Sequence, residues 1–224
     1  MKTSLYLSLL LIVCSIAGCN KNEGKANWQA RAAEAETYRI KKHIVIDLEA
    51  NDTTENYFTY NTDNSIATES NASFGYTYTY GNGVVLKMLT TNSNVVETYH
   101  LNSEGFTDTL SYDEYNFFTF QYNSYGNVIK KDFQGLALTY NWTNGNLSSA
   151  GNGGMVNFDF ITDKFSTINS TNKGALFAGR ESVNIPSRGY NEYGDELIYT
   201  YEFDNLDRVI RRRTQISDEY FTYY

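Results

Sequence analysis

The chain has 224 residues, of which 41% are hydrophobic and 16% aromatic, with 20 Tyr, 13 Phe and a single Pro. This composition favours an aromatic-rich β domain over disordered, collagen-like or disulfide-stapled classes. The formal net charge of −8 removes the basic surface that nucleic-acid binding needs, so we expect no nucleic-acid partner. With only two His and two Cys residues, we also expect no metal site and no cofactor.

Residues 1–18 have the pattern of an export signal. A basic residue, Lys2, precedes an apolar run that is too short to span a bilayer as a helix. The run ends in Ile-Ala-Gly-Cys at 16–19, which resembles the bacterial lipobox, where two small residues precede the cysteine that receives a lipid. The sequence therefore predicts lipidation of Cys19. The alternatives are a chance match after an ordinary signal and an uncleaved anchor.

Lipidation would anchor the chain to a membrane rather than send it across one. Cys14 is lost with the signal and Cys19 is acylated, so no free thiol remains for a disulfide, a metal or catalysis. Asn20 stands where an Asp indicates inner-membrane retention in many Gram-negative bacteria. The resemblance thus implies a lipid-anchored outer-membrane protein, either periplasmic or surface-exposed.

The next segment, 19–37, is polar and rich in Ala, and we interpret it as a tether. Asn27 could cap a helix, and Arg31, Glu34 and Glu36 have helix-compatible spacing. Two or three helical turns and a plain disordered stalk both fit this composition.

Short runs with period-two alternation recur through residues 38–224. Aromatic or aliphatic residues alternate with polar ones, which is typical of a strand with one packed face and one solvated face. No helical period survives in this region. The clearest runs are 76–80, 118–122, 156–160 and 199–203.

Many of these runs end in the same kind of turn. Each turn begins with Asn or Asp and has Gly, Asn or Asp at its fourth position, which suits a type I turn closed by a residue with positive φ. Successive turns are spaced by multiples of roughly twenty residues, and tighter or degraded turns at 81–83 and 161–164 occupy two of the gaps. The turns begin at Asn61, Asn102, Asn123, Asn141 and Asp204.

The predicted fold is therefore all-β, an antiparallel hairpin meander of about fifteen short strands that is curled or barrel-like. The pattern is least regular over 165–195, where we expect a bulge or loop at Pro186 because proline cannot donate to a strand ladder. An open meander has exposed edges, which either the tether or the 165–195 segment could cap.

The two most regular turns, 122–128 and 203–209, resemble the tyrosine–aspartate repeat pattern. Together with the lipobox and the chain length, they resemble lipoproteins that carry domain of unknown function 4595, described as porin-like β structures. The resemblance covers residues 38–224. Because these motifs consist of turn chemistry, they imply an architecture and no activity.

Neither the acids nor the histidines form a recognisable catalytic set. Acids adjacent in sequence occur at 113–114, 195–196 and 218–219. Neighbouring strand residues point to opposite faces, so such a pair cannot place both carboxylates at the same scissile bond. We interpret these acids as solvated turn residues. His43 and His100 are interpreted as ordinary strand histidines, since neither lies in a nucleophile-elbow motif of the kind that catalytic triads use. The sequence predicts no catalytic residue.

Two groups remain as candidates for ligand contact. The only basic cluster is Arg208, Arg211, Arg212 and Arg213, which we expect to pair with the surplus acids. Contact with an anion or with lipopolysaccharide is the alternative. Most aromatic residues are expected in the core, but Trp142, which we predict at a turn apex, is the best candidate for an exposed platform for sugars or peptides.

The leading hypothesis is a non-enzymatic, membrane-anchored binding or scaffold module at the outer membrane. Its partner would be a glycan or an envelope protein. Two alternatives stay open, an integral outer-membrane β-barrel and an enzyme acting on glycans. Most of the runs are shorter than the 9 to 11 residues that a spanning strand needs.

Overall fold

The computed structural model describes residues 30–152 and 155–224, which form one antiparallel sheet of seventeen strands. Residues 30–35 are helical, and two 3₁₀ helices, Ser170–Lys173 and Leu176–Ala178, lie between strands β12 and β13. The strands are β1 (Ile40–Asp47), β2 (Asp52–Tyr60), β3 (Ile66–Ser70), β4 (Gly75–Gly81), β5 (Val84–Leu89), β6 (Val95–Leu101), β7 (Thr107–Ser111), β8 (Phe117–Tyr122), β9 (Val128–Phe133), β10 (Leu136–Thr143), β11 (Asn146–Gly151), β12 (Met155–Phe165), β13 (Asn184–Tyr190), β14 (Glu196–Ile198), β15 (Thr200–Phe203), β16 (Val209–Arg213) and β17 (Ser217–Tyr223).

The sheet curls until its first and last strands meet. β1 pairs with β2 on one side and with β17 on the other, and the remaining strands pair with their neighbours in the chain. β14 and β15 are two halves of one extended segment that is interrupted at Tyr199, the first half pairing with β13 and the second with β16. The predicted barrel-like hairpin meander is confirmed, with seventeen strands in place of about fifteen.

The aromatic residues of the alternating runs face the inside of this sheet. On β4, Tyr78 packs against the buried core, and Tyr80 approaches the ring of Phe177 with a centroid distance of 6.3 Å. Alternation then places Thr77 and Thr79 on the outer face. The fully buried strand residues of the core come from the part of the sheet on either side of the β1–β17 pairing, from β13 round to β5: Ile40, Phe58, Ile66, Val85, Ile185, Val209 and Phe221.

The predicted turn chemistry is confirmed at most positions. Asn123 Oδ1 accepts hydrogen bonds from the backbone N–H groups of Tyr125 and Asn127, at 3.0 and 3.1 Å, and Gly126 closes the turn with φ 81°. Asp204 does the same at the β15–β16 turn, where Asp207 has φ 59°. The side chain thus takes the place of a backbone acceptor, and the fourth residue adopts the left-handed conformation.

Two predicted turns are wrong. The turn placed at 141–144 lies at Asn144–Gly145, whose φ values of 52° and 78° fit a two-residue hairpin loop, so the Asn-Gly pair decides the register. The turn placed at 161–164 does not exist, because β12 runs unbroken from Met155 to Phe165.

Proline lies at an irregularity in the strand pairing, as predicted. Between β12 and β13 the register passes from Asp159 opposite Arg188 to Phe160 opposite Pro186, so Ser187 is an extra residue that forms a bulge.

The 166–183 segment crosses one end of the barrel, and we call it the plug. It carries both 3₁₀ helices and bonds to five separate strand ends or turns. These bonds are Ile66 N–H to Gly174 O, Thr107 Oγ1 to Phe177 O, Arg180 N–H to Gly126 O, Val183 N–H to Gly145 O, and Val209 N–H to Thr167 Oγ1. The edge cap expected for an open meander is not needed, because β1 pairs with β17, and the segment covers an end of the barrel instead.

The helical residues 30–35 dock on the same end. Asn172 of the plug donates from Nδ2 to the carbonyl oxygens of Ala35, at 2.7 Å, and Tyr38, at 2.9 Å. Arg31 lies 3.4 Å from Asp207 in the β15–β16 turn. The last part of the predicted tether is therefore packed against the barrel. Within the described ranges, no helix has the length and apolar character needed to cross a bilayer.

Substitution of Gly174 measures how much the contact between the plug and the β2–β3 turn stabilises the fold. It has φ 73°, and a Cβ there would lie 2.6 Å from Ile66 N and 2.9 Å from Asn64 O. Gly105 has a similar φ of 85° but open space around the Cβ position. Gly105→Ala should cost about 1–2 kcal/mol of unfolding free energy, since only the left-handed conformation is penalised. Gly174→Ala should cost about 1–3 kcal/mol more through overpacking.

Urea unfolding of the two variants checks this difference. Equal losses would show that the contact between the plug and the β2–β3 turn contributes nothing.

Candidate functional site

The plug fills only part of the barrel interior. Its Phe177 packs among rings of β4 and β6, with a centroid distance of 4.7 Å to Tyr99, and so closes the space next to the first strands. On the opposite side, between β8 and β13, a chamber of about 420 Å³ remains beneath the plug. That volume is in the range of small-molecule sites.

The chamber has apolar walls with a few charged groups. Rings and aliphatic side chains from the sheet form most of its surface, and the plug supplies Ile168 and Ala178 as a roof. Lys131 and Arg212 reach it from opposite sides of the barrel. The apolar lining from the sheet consists of Phe120, Val128, Tyr140, Trp142, Leu147, Phe158, Phe160 and Pro186.

Trp142 belongs to this chamber and not to a turn apex. It lies in β10, is half-buried, and donates from Nε1 to the carbonyl oxygen of Val128 at 2.7 Å. The predicted position is wrong because the hairpin turns at Asn144–Gly145, beyond the tryptophan. Its indole ring borders the chamber.

The basic cluster splits between the two faces of the sheet, and three of its four members, Arg208, Arg211 and Arg212, bind carboxylates as expected. Arg208 pairs with Asp204 at 2.7 Å within one turn. On the outer face, Arg211 contacts Glu202 and Asp218 at 2.7 and 2.6 Å. Arg213 is an exposed residue at the end of β16.

Arg212 points inward and belongs to a buried network. Its guanidinium donates to both oxygens of Glu219, at 2.8 to 3.0 Å, and the second oxygen lies 2.8 Å from Nε2 of His43. The imidazole also stacks on Phe221, with ring centroids 4.5 Å apart. Neither His43 nor Glu219 was expected here: the acids at 218–219 are buried in β17 and are not solvated turn residues.

Burial sets the protonation of this network. Desolvation lowers the pKa of His43 below its ordinary 6.5, against the opposing hydrogen bond with Glu219. Burial alone would raise the pKa of Glu219, but the hydrogen bond from His43 and the charge of Arg212 hold that pKa below its usual range. The stable arrangement is a neutral imidazole donating to a carboxylate that is shared with Arg212.

A second charged cluster lies inside the barrel on β3 to β6. Lys87 Nζ is 3.4 Å from Glu97 and 3.8 Å from Glu69, and these carboxylates accept hydrogen bonds from Tyr99 and Tyr78, respectively. Burial raises the pKa of both phenols, which keeps them neutral donors. The carboxylates are thus held by a cation and by phenols.

Lys131 differs from these inward-facing cations. Its ammonium lies 4.1 Å from the ring centroid of Phe118 and 5.8 Å from that of Phe120, and no carboxylate of the described residues lies within ion-pair distance. The sequence contains the signal for its position, because period two places Lys131 and Phe133 on one face of β9. Nothing in the sequence indicates which residues of the plug form the roof.

A wider depression of about 700 Å³ lies on the outer side of the plug. Trp142, Arg180 and Glu181 line both spaces, so these three residues form the wall between them. Tyr125 and Asn127 of the β8–β9 turn border the outer depression. Over the described ranges, no three His, Cys or acidic side chains gather as a metal site would require.

Acidification should weaken the fold through His43. The pKa of His43 is lower in the folded state than in the unfolded chain, so below about pH 6.5 the unfolded chain binds the proton more readily. The stability that is present above about pH 6.5 is therefore lost as the pH falls below that value. His43→Gln keeps an N–H donor that does not titrate. Its unfolding free energy should therefore fall less than that of the wild type between about pH 7.5 and about pH 5.5.

His100→Gln is the matched control, because His100 is exposed on the outer face of β6. Denaturant melts across this pH range should give His100→Gln the wild-type pH dependence. Identical pH profiles for the two variants would contradict the role given to His43.

Comparison with known proteins yields a structural relative. No known family model and no curated protein matches the chain. Among solved structures, it is similar to a porin-like protein from Bacteroides uniformis, with a TM-score of 0.61 and 12% sequence identity over 83% of this chain and 98% of that one. At this identity the likeness concerns the fold alone, and it supports the porin-like β architecture that the resemblance implied.

Proposed function

We propose that the chain is a non-enzymatic binding protein, anchored to the bacterial outer membrane through a lipid on Cys19, that holds a small ligand in the chamber beneath the plug. The observation that carries the proposal is the chamber itself, a partly open space with ring-lined walls and a cation, Lys131, that has no carboxylate partner among the described residues. Cys19 lies outside the described residues, so the anchor rests on the lipobox.

The polarity of the sheet supports a barrel that stands in water. Spanning barrels carry an apolar band on their outer face and polar residues inside. Here the outer face has a Thr59–Thr68 hydroxyl pair at 2.6 Å and a Lys42–Glu55 ion pair at 2.8 Å. The rings that pack into the core face inward, and exposed rings such as Tyr57 and Phe117 lie among these polar residues. This arrangement favours a lipid tether over the alternative of an integral barrel.

The state of the inner carboxylates supports binding over catalysis on glycans. A hydrolase needs a carboxyl group free to give or take a proton at the scissile bond. Glu219 is held by Arg212 and His43, and Glu69 and Glu97 lie against Lys87. Such ion pairs occupy the hydrogen-bonding positions of the carboxylates.

The anchor is tested by fractionation of the native envelope. Cys19→Ala removes the atom that receives the lipid, so folded protein should move from the membrane fraction to the soluble fraction. Ser15→Ala, a change within the signal but outside the 16–19 box, should leave the protein in the membrane fraction. A Cys19→Ala protein that still requires detergent would contradict the tether and favour an integral barrel.

The chamber is tested by what the protein retains when it is purified from its native envelope. Leu176 and Ala178 are both exposed on the second 3₁₀ helix of the plug, but only Ala178 borders the chamber. Ala178→Phe therefore adds a ring against the chamber, whereas Leu176→Phe adds the same ring away from it. Mass spectrometry of extracted small molecules should find a ligand with the wild type and with Leu176→Phe, and should find it lost with Ala178→Phe. Equal retention by both variants, or no retained molecule, would contradict the proposal.

A further inference from the structure

We propose that the ligand of the chamber is an amphipathic carboxylate, a molecule with an apolar body and one anionic group, of which a fatty acid is the simplest example. This inference rests on the proposed function, since it names the class of molecule that the chamber holds. Three features of the lining lead to it: its walls, its polar groups and its charge.

The walls match an apolar body. Trp142, Phe158 and Phe160 present rings from β10 and β12, and Leu147 and Ile168 add aliphatic surface from β11 and the plug. Apolar surface of this kind gains free energy in proportion to the apolar ligand area that it removes from water. A hydrocarbon chain or a fused ring system can use all of these walls at once.

The polar groups of the lining are mostly occupied within the protein. Asn184 donates to the carbonyl oxygens of Thr162 and Lys164 and pairs with Asn146, and Asn169 bonds to Ser166 and Ser182. The Trp142 N–H is likewise used on a backbone carbonyl. A sugar would bury several hydroxyls without partners here, at a cost for each one. The lining therefore disfavours a glycan.

The lining carries Lys131, Arg180 and Arg212 against Glu181, so with Arg212 paired to Glu219 it has one cation in excess and fits one anionic group. Arg212 is neutralised by Glu219, and Lys87 lies outside the chamber between Glu69 and Glu97. Lys131 lines the chamber with no carboxylate partner in the part of the chain that the structure describes.

Two further polar groups bear on the anion's position. The hydroxyl of Tyr140 has no hydrogen-bond partner among the described residues and can donate beside Lys131. The carboxylate of Glu181, which also borders the chamber, accepts hydrogen bonds from Ser170 on the plug. A ligand carboxylate against Lys131 and Tyr140 would complete an ion pair on one side and leave its apolar body against the rings.

The test compares dodecanoate with dodecanol and glucuronate by calorimetry. The full chain carries Cys19→Ala so that no attached lipid interferes with the titration. Dodecanoate should bind at least about tenfold more tightly than dodecanol, the uncharged molecule of equal chain length, because hydrogen bonds to an ionised group are stronger than those to a neutral one. Glucuronate, an anion with a polar body, should not bind.

Lys131→Met removes the charge and keeps a long apolar side chain over Phe118. It should abolish the preference for dodecanoate over dodecanol, while Lys131→Arg should restore it. Lys130→Met, one residue away on the opposite face of β9, should behave as the wild type. Circular dichroism melts establish that each variant is folded.

Three results would overturn the ligand class: no binding of dodecanoate, tighter binding of glucuronate, or an unchanged preference in Lys131→Met. If one of these results is found but Ala178→Phe still loses the molecule that the wild type retains, the chamber remains the binding site, for another class of ligand. If no molecule is retained, or if Ala178→Phe retains it as the wild type does, the proposed function itself is contradicted.

Discussion

A sheet of seventeen short strands that closes on itself encloses more space than its own inward side chains can fill. Barrels of sixteen to eighteen strands in other proteins leave an aqueous channel. In this chain the constraint is met by the 166–183 segment, which crosses one end and inserts Phe177 among the rings of Tyr78, Tyr80 and Tyr99. The core, the docking of residues 30–35 and the position of the chamber all depend on that plug.

A chamber remains because the plug fills only part of the space that the barrel encloses. Phe177 reaches the strands of the first half of the barrel, and bonds to the β8–β9 and β10–β11 turns hold the later part of the plug at the rim. The interior next to β8 to β13 is therefore covered without being filled. Charges inside the barrel are tolerated because they are paired, as in the Arg212–Glu219–His43 network, or rest on aromatic faces, as Lys131 does.

The sequence was sufficient for the fold class because both of its signals are local. Period-two alternation shows which face is buried, and an Asn or Asp followed by a residue with positive φ marks a hairpin, as at Asn123–Gly126. The turn near Trp142 shows how these rules compete: Asn141 fits the first position of a longer turn, but the Asn-Gly pair two residues beyond the tryptophan is the stronger signal and sets the turn.

The candidate site was largely out of reach of such rules. His43, Glu219 and Arg212 come from β1, β17 and β16 and meet only because the sheet closes. The roof of the chamber comes from the plug, whose contacts with the strands are long-range and whose sequence has no period. Lys131 could have been placed on the inner face from Phe133, but its lack of a carboxylate partner is a property of the assembled barrel.

A crystal structure of the protein grown with ω-bromododecanoate would locate a bound ligand through the anomalous scattering of its bromine. If the carboxylate binds Lys131 and the hydrocarbon chain lies on the inward rings, the bromine peak should appear beside Trp142, Phe158 and Phe160, beneath the plug. The carboxylate should then lie within ion-pair distance of Lys131. A bromine on the outer face of the sheet, or an empty chamber at saturating ligand, would contradict the chamber as the binding site for this class of molecule.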